Sequence, residues 1–308
     1  MRRSYLVELG VVHSKGTGVT GGSIKTIVCG WCLCALVFAF CPVPAFSAER
    51  GGGLFFKKKD GGTSSYAQRE QVIAGLPIQR LTRDAQRRIL SIAKSPTLYR
   101  RLPTQAIHCD RDMFLFLTRH PEVMVGMWDL MGITKVQTRR TGPYQMAAED
   151  GSGTICNVDL VYGDPSMHIF IAEGSYDGKM VAKPIRGKGV IVLRSSYSVA
   201  ADGSSTVTGT IDFFMQIESL GADLIARTLS GLIGRSADNN FMETARFIAQ
   251  VSQASARNPA AMIDIAQRMP QVGEPTKRKF VDVITTVSRR AEEKNRIAKR
   301  PRPANWAR

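Results

Sequence analysis

The feature that most constrains the fold is a series of about seven short segments, between residues 133 and 217, in which apolar and polar residues alternate. Turn-forming pairs such as Asp177-Gly178 and Asp202-Gly203 separate them. A period of two predicts strands, and connections this short favour antiparallel neighbours. The region therefore predicts a mostly antiparallel sheet of six or seven strands.

The alternation also predicts how the sheet is covered. In the segments around residues 156, 193 and 211, apolar side chains fall on one face and polar ones on the other. Such a pattern is typical of an antiparallel sheet with one face in the core and one in solvent. We expect helices to cover the apolar face.

Apolar residues at helical spacing occur on both sides of this sheet region. They predict helices over residues 82–131 and 220–268, with Thr82 and Asp110 as N-caps. A break is expected near Gly234 to Asn239. Together the three regions predict one α+β domain over residues 81–270.

The start of the chain resembles a secretory signal peptide. An apolar run over residues 26–41 follows basic residues and precedes Ala45 and Ser47, which have the small-residue spacing of a cleavage site. We expect residues 1–47 to be removed near Ser47 and the protein to be exported, to a periplasm, a cell envelope or the medium. An uncleaved membrane anchor is the alternative. Residues 48–80, rich in Gly, Ser and Lys, predict a flexible basic linker.

Only two cysteines, Cys109 and Cys156, lie beyond the predicted signal peptide. Export places them where a disulfide survives. A disulfide needs Cα atoms closer than about 7 Å, which the sequence does not indicate. We therefore expect two buried thiols, with a disulfide as the alternative.

The chain carries a formal net charge of +16, and the excess is concentrated at its end. Residues 276–308 hold eleven Lys and Arg against three acidic residues. We predict a basic C-terminal helix and tail over residues 271–308. It would contact an anionic membrane or a cell-wall polymer, or simply pack on its own domain. Nucleic acid is not expected as the partner of an exported protein. The cationic side chains proposed for contact are Lys277, Arg278, Lys279, Arg289 and Arg290.

No motif for catalysis, a metal or a cofactor occurs beyond the predicted signal peptide. His168 could line a pocket, although a partly exposed strand histidine is the simpler expectation. Asp159 and Glu173 could form a carboxylate pair, although solvated strand faces are the simpler reading. We expect a non-catalytic protein without cofactor or metal; an enzyme of unrecognised class stays open.

The order of helices, antiparallel sheet and C-terminal helices resembles the START-like (helix-grip) superfamily over roughly residues 110–256. The segment "HPEVMVGMWDLMG", with Pro121, Met127 and Trp128, is similar to a helix near the start of those domains, and "IESLGADLIARTLSGLI" to their entry into the final helix. The resemblance implies that a lipid or other apolar ligand lies between sheet and helices. The candidate lining residues are Trp128, Leu160, Tyr162, Ile169, Leu193, Tyr197, Phe213 and Met215. An envelope-associated structural protein without a small ligand is the alternative.

Overall fold

A computed structural model of the chain describes residues 62–179, 183–218 and 222–298. The predicted signal peptide and the first part of the predicted linker lie outside the described residues. Among the described residues, no helix combines the length and the apolar character that a membrane span requires.

The described helices flank the sheet in sequence. They are α1 (Tyr66–Ala74), α2 (Arg83–Lys94), α3 (Arg111–Arg119), α4 (Pro121–Leu130), α5 (Ala222–Arg257), α6 (Pro259–Arg268) and α7 (Glu274–Ala298), with a 3-10 turn at Ile78–Arg80. The predicted caps are confirmed: Thr82 Oγ1 accepts a hydrogen bond from the Ala85 amide at 3.3 Å, and Asp110 Oδ1 accepts one from Asp112 at 2.8 Å.

In the described part of the chain, eight strands form one antiparallel sheet. They are β1 (Leu98–Arg101), β2 (Gln105–Ile107), β3 (Gln137–Gly142), β4 (Gln145–Glu149), β5 (Thr154–Gly163), β6 (Met167–Tyr176), β7 (Ile185–Val199) and β8 (Ser205–Ile217). The strand order is β1-β8-β7-β6-β5-β4-β3, with β2 also paired to β8. Strands β3 to β8 therefore follow one another as hairpins, and the two short first strands add to the far edge. The predicted antiparallel α+β fold is confirmed.

Strand β7 is one strand of 15 residues, longer than the short segments predicted from the sequence. Its glycines, Gly187 and Gly189, stay paired with Gly174 and Ala172 of β6. Pairing on both sides of β7, with β6 and β8, holds the glycines in extended conformation. The sequence pattern could not show this, since glycine in a strand normally indicates a turn or a bulge.

The larger apolar core lies between one face of the sheet and helices α3 to α7, and we call it the inner layer. Its buried sheet residues include Val158, Phe170, Leu193, Phe213 and Met215. Helix α7 belongs to it, because Phe280, Ile284 and Val287 are buried there. The basic C-terminal helix is thus docked on its own domain, which was one of the two readings of the sequence.

A second apolar core, the outer layer, lies on the opposite face of the sheet beneath α1 and α2. Ile89 and Ile92 of α2 pack there with Ile169, Val192 and Phe214. This face was expected to be in solvent. The alternation in β8 did not indicate it because Thr206, Thr208, Thr210 and Asp212 share this face with Phe214.

Three further details differ from the sequence predictions. Residues 62–80 are not linker, because α1 forms there and buries Val72. Residues 98–107, placed among helices, form β1 and β2. Helix α5 continues through residues 234–239, where a break was expected. Gly234 is instead a point of close approach: a Cβ there would lie 3.0 Å from Arg100, whose guanidinium binds Asp238 one turn further on.

Candidate functional site

Six of the eight predicted ligand-lining residues lie in or against the inner layer. Trp128, Leu193, Phe213 and Met215 are buried there. Leu160 and Tyr197 pack against this core and are partly buried. Trp128 also contacts α5, with its ring 5.4 Å from that of Phe247. The structure therefore brings these six side chains to one side of the sheet.

The other two predicted lining residues lie on the wrong side. Ile169 is buried in the outer layer, and Tyr162 packs against it. Tyr162 lies on the outer side because the register of β5 shifts between Leu160 and Tyr162. A bulge at this point inverts the alternation of the side chains that follow it. Strand β6 is apolar on both faces, so periodicity alone could not orient Ile169.

Methionine is unusually frequent in the inner layer. Six buried methionines contribute to it: Met113, Met124, Met127, Met215, Met262 and Met269. Methionine is unbranched and polarisable and fills irregular spaces in several conformations. An apolar layer built this way can change its packing at lower cost than one of branched residues.

His168 is the most unusual polar residue of the inner face. It is 0% exposed, whereas the sequence favoured a partly exposed residue. Its Nε2 accepts a hydrogen bond from Arg119 Nε at 3.1 Å. Burial and the neighbouring Arg119 charge lower the pKa of His168 to about 4. The imidazole is therefore neutral at physiological pH, and its proton sits on Nδ1.

Three buried polar side-chain atoms have no hydrogen-bond partner among the described residues: Thr154 Oγ1 at the start of β5, and His168 Nδ1 and Ser195 Oγ on the inner face of β6 and β7. Ser195 is 7% exposed. Burial raises the pKa of Tyr197 overall, although the charge of Arg111 and the nearby Ser195 hydroxyl lower it. Tyr197 donates its own proton to the Pro165 carbonyl at 2.5 Å. A buried polar atom without a partner costs about 1–3 kcal/mol, so such atoms call for an explanation.

Two arginines of α3 flank these atoms. Arg119 contacts His168, and the Arg111 guanidinium lies 5.1 Å above the centre of the Tyr197 ring. Both are exposed, and within the described part of the chain neither pairs with a carboxylate. We call His168, Ser195, Tyr197, Arg111 and Arg119 the His168 cluster.

The sequence pointed to only part of this cluster. His168 was considered as a pocket residue and Tyr197 as a lining residue, but Ser195, Arg111 and Arg119 were not singled out. Ser195 falls in the apolar register of β7, between Leu193 and Tyr197. A serine on a strand face otherwise predicted to be buried could have indicated this site. The sequence around Arg111 and Arg119 could not, since exposed cations are frequent at helix ends.

Asp159 and Glu173 are indeed close together, but as partners of a cation. Arg88 of α2 binds Asp159 at 2.7 Å and Glu173 at 3.1 Å. Both bonds lie on the outer side of the sheet and are partly solvated. They fix α2 over β5 and β6, which is a structural role.

A second carboxylate, Glu122 at the start of α4, is almost fully buried. Arg140 donates to it from Nε at 2.9 Å and from a terminal nitrogen at 2.8 Å, and His120 lies 3.2 Å from it. Burial alone raises the pKa of Glu122, but hydrogen bonds from His120 and Arg140 and the charge of Arg140 outweigh it, so the pKa is lowered. This group joins α4 to β3.

The lowered pKa of Glu122 predicts an acid-sensitive contribution to stability. Because the native pKa is below the unfolded one, the contribution is complete above the ordinary value of 4.5 and is lost as pH falls through the native pKa. Glu122→Gln should flatten the decline in unfolding free energy below pH 4.5. Urea titrations at several pH values measure this. Asp84→Asn, at an exposed position, is the control, and an equal change in both variants would contradict the prediction.

The two cysteines are buried thiols, as predicted. Cys109 Sγ contacts the Asp110 carbonyl oxygen at 3.1 Å, and Cys156 Sγ contacts the Asn157 carbonyl oxygen at 3.7 Å. Burial raises the pKa of Cys109 to about 12. A thiol with so high a pKa is a poor nucleophile at neutral pH.

Alkylation should show this state directly. In denaturant without reductant, iodoacetamide should label both Cys109 and Cys156, as read by peptide mass spectrometry. In the native protein both should be protected, because neither thiol is accessible. A Cys109–Cys156 cross-linked peptide would contradict the prediction.

Among the described residues, no group of three or more His, Cys, Asp or Glu side chains could hold a metal ion.

The five cationic residues predicted to contact an anionic partner fall into two groups, those paired with carboxylates and those exposed without such a pair in the described part of the chain. Arg290 binds Asp110 at 2.9 Å and Asp112 at 2.7 Å, and Lys277 pairs with Glu274 at 2.9 Å. Arg278, Lys279 and Arg289 are exposed on α7.

Comparisons with known proteins give only distant likenesses. No family model and no curated protein matches the chain. A conserved protein from Geobacillus kaustophilus is similar at 8% identity over 49% of this chain and 93% of its own, with a TM-score of 0.35. The structure of Ara h 8.0201 matches at 8% identity over 47% and 99%, with a TM-score of 0.27. Apo dicamba monooxygenase matches at 11% identity over 67% and 59%, with a TM-score of 0.29.

TM-scores this low carry no argument about function. The fold class rests on the chain itself: an open antiparallel sheet of eight strands, with the long helix α5 packed against its inner face. This is a helix-grip-like α+β fold.

Proposed function

We propose that this chain is an exported, non-catalytic protein of the START-like (helix-grip) type that binds a lipid or another apolar small molecule between the sheet and the helices. The observation that carries the proposal is the methionine-rich inner layer. A ligand would lie against Trp128, Leu193, Phe213 and Met215. Export is supported by the apolar run and cleavage-site spacing at the start of the sequence.

The composition of the two apolar layers supports this location. Six buried methionines belong to the inner layer, while the buried residues of the outer layer are mainly isoleucine, leucine, valine and alanine. Branched side chains have few conformations and pack rigidly. Methionines can move aside for an apolar guest and close again when it leaves. The inner layer is therefore the better host.

Native mass spectrometry of protein purified from its natural source tests the proposal. We expect a bound species whose mass survives gentle ionisation and which organic extraction recovers as an apolar molecule. Delipidated protein should then bind the neutral fluorophore N-phenyl-1-naphthylamine with saturation. Protein that carries no extractable molecule and binds no probe would rule the proposal out.

Two matched substitutions locate the site. Ala245 of α5 is buried in the inner layer, and Ala93 of α2 is buried in the outer layer. Leucine at either position overpacks its layer, at a typical cost of about 1–3 kcal/mol. We expect Ala245→Leu to weaken probe binding and Ala93→Leu to leave it unchanged. Equal effects would place the ligand elsewhere.

A second candidate function rests on α7. Arg278, Lys279 and Arg289 are exposed there, and within the described part of the chain none of them pairs with a carboxylate. They could hold the protein on an anionic membrane or wall polymer. Each cation near such a surface contributes about 1 kcal/mol, so together they would change affinity on the order of 100-fold.

Vesicles of phosphatidylglycerol test this candidate. Truncation before α7 is unsuitable, because it removes Phe280 from the core. Replacing Arg278, Lys279 and Arg289 by glutamine should instead abolish salt-sensitive binding. The control removes three exposed charges from α2: Arg83, Arg87 and Lys94. Equal losses in both variants would indicate general charge attraction and exclude α7 as the contact.

A further inference from the structure

The His168 cluster holds two neighbouring polar atoms that the protein itself leaves without partners. His168 lies directly opposite Leu193 in the pairing of β6 with β7. Ser195 is two residues beyond Leu193 and so occupies the same face, on the diagonal from His168. Two unpartnered atoms thus lie side by side on one buried patch of the sheet.

The orientation of the imidazole follows from its contacts. A Cβ on Gly163 of β5 would lie 3.3 Å from Cδ2 of His168 and 3.7 Å from its Nε2. That edge of the ring therefore faces β5. Since Nδ1 is on the other side of Cγ, it faces β7, which carries Ser195.

The protonation of the ring is equally determined. Arg119 Nε is always a donor, so His168 Nε2 must accept with its lone pair. A neutral imidazole then carries its proton on Nδ1, as a donor without an acceptor. The Ser195 hydroxyl can donate as well. The patch therefore presents two donors on the same buried face of neighbouring strands.

The charge around the patch is positive. Arg119 and Arg111 lie beside it. Asp164, in the turn between β5 and β6, is an acid whose charge acts on both His168 and Tyr197. Its oxygens are already occupied by the Tyr162 hydroxyl at 2.6 Å and by Ser166 and Met167 amides at 2.8 Å each. Asp164 therefore stabilises the turn and does not accept hydrogen bonds from the patch. An anionic acceptor would complement the two donors and the positive charge of the patch.

We propose that the His168 cluster binds the carboxylate of an apolar acid whose hydrocarbon chain lies in the inner layer. The inference rests on the proposed function and specifies its ligand class. One carboxylate oxygen accepts from His168 Nδ1 and the other from Ser195 Oγ, while Arg119 and Arg111 balance the charge. The hydrocarbon chain of the ligand continues past Leu193 and Phe114. The Phe114 ring meets the Tyr197 ring edge-on, with the centroids 6.3 Å apart.

A carboxylate fits because it accepts hydrogen bonds at both oxygens and donates none. An alcohol head group brings one oxygen and no charge, so it satisfies the patch only in part. Hydrogen bonds to a charged group are stronger than neutral ones. The acid should therefore bind more tightly than the alcohol of the same chain length by roughly 10- to 100-fold.

Competition of decanoate and 1-decanol against N-phenyl-1-naphthylamine at pH 7 measures this ratio. We expect decanoate to displace the probe at a concentration at least tenfold lower. Equal potency overturns the carboxylate site and leaves apolar binding intact. Failure of both ligands to displace the probe overturns the carboxylate site and points away from the proposed function as well.

Substitutions on β7 supply the matched control. Ser195→Ala should reduce the preference for decanoate several-fold and leave the decanol affinity unchanged, since it removes one donor from the patch. Ser196→Ala, one residue away on the opposite face, should change neither ligand. Arg119→Gln should reduce the preference and make it less sensitive to salt. A preference unchanged by Ser195→Ala and Arg119→Gln overturns the assignment of these residues.

Discussion

Replacing Phe280 by alanine should lower the free energy of unfolding by about 3–5 kcal/mol. Phe280 is 0% exposed in the second turn of α7, and its ring stacks on that of Phe116 with centroids 5.3 Å apart. The substitution removes a large apolar contact and leaves a cavity between α7 and α3 that close-packed neighbours cannot fill. Urea unfolding followed by circular dichroism measures the loss.

Ile297→Ala provides the control on the same helix. Ile297 is 58% exposed, so its truncation should change the free energy of unfolding by no more than about 0.5 kcal/mol. If Phe280→Ala were as mild as Ile297→Ala, α7 would be a peripheral element. The expected contrast would show that the basic helix α7 is part of the core.

This result matters for reading basic C-terminal segments from sequence. The spacing of Phe280, Ile284 and Val287 predicted an amphipathic helix, and the structure has that helix. What the helix packs against could not be predicted, because a membrane surface and a protein core favour the same apolar stripe. The burial of Phe280, Ile284 and Val287 in the inner layer shows that the stripe packs on the core. The pairs of Arg290 with Asp110 and Asp112 join α7 to the start of α3, about 180 positions earlier in the chain.

The sheet was predictable wherever one face is apolar and the other polar. Strands β5 and β8 satisfy this condition, and Val158, Phe213 and Met215 were placed on the correct face. Strand β6 is covered on both faces, so its sequence carries no alternation and Ile169 was placed on the wrong one. The bulge before Tyr162 had no sequence signal, because it depends on the pairing of β5 with β6.

The outer layer was missed for a related reason. Its helix α2 was predicted correctly, with a narrow apolar stripe around Ile89 and Ile92. The sequence did not indicate which face of the sheet this stripe packs on. Thr208, Thr210 and Asp212 made the outer face of β8 look polar. Buried polar residues that pair with distant partners look like solvent-exposed residues in a sequence.

Asp212 is the clearest example. It is 0% exposed in β8, yet it accepts hydrogen bonds from the Tyr99 hydroxyl at 2.8 Å, from Arg101 Nε at 2.8 Å and from Arg194 at 2.6 Å. Burial and the hydrogen bond to Asp212 raise the pKa of Tyr99. One carboxylate therefore links β1, β7 and β8 on the outer side of the sheet, and its charge is matched by two partly exposed arginines.

Replacing Asp212 by alanine should destabilise the protein by about 3 kcal/mol, toward the low end for a buried ion pair. The reason for the low value is that both arginines retain access to water, whereas the buried Tyr99 hydroxyl loses its acceptor. Urea unfolding measures the effect. The matched control is Thr210→Ala, two residues away on the same face, which should cost less than about 1 kcal/mol.

A double-mutant cycle separates the network from simple loss of packing. Tyr99→Phe alone should cost about 1.5–3 kcal/mol, because it removes a hydrogen bond to a buried charge. In the Asp212→Ala background the same change should cost almost nothing, since the hydroxyl no longer has an acceptor. The coupling energy should then be about 1.5–3 kcal/mol. Additive losses would mean that Tyr99 and Asp212 stabilise the sheet independently, and that the carboxylate is held by its arginines alone.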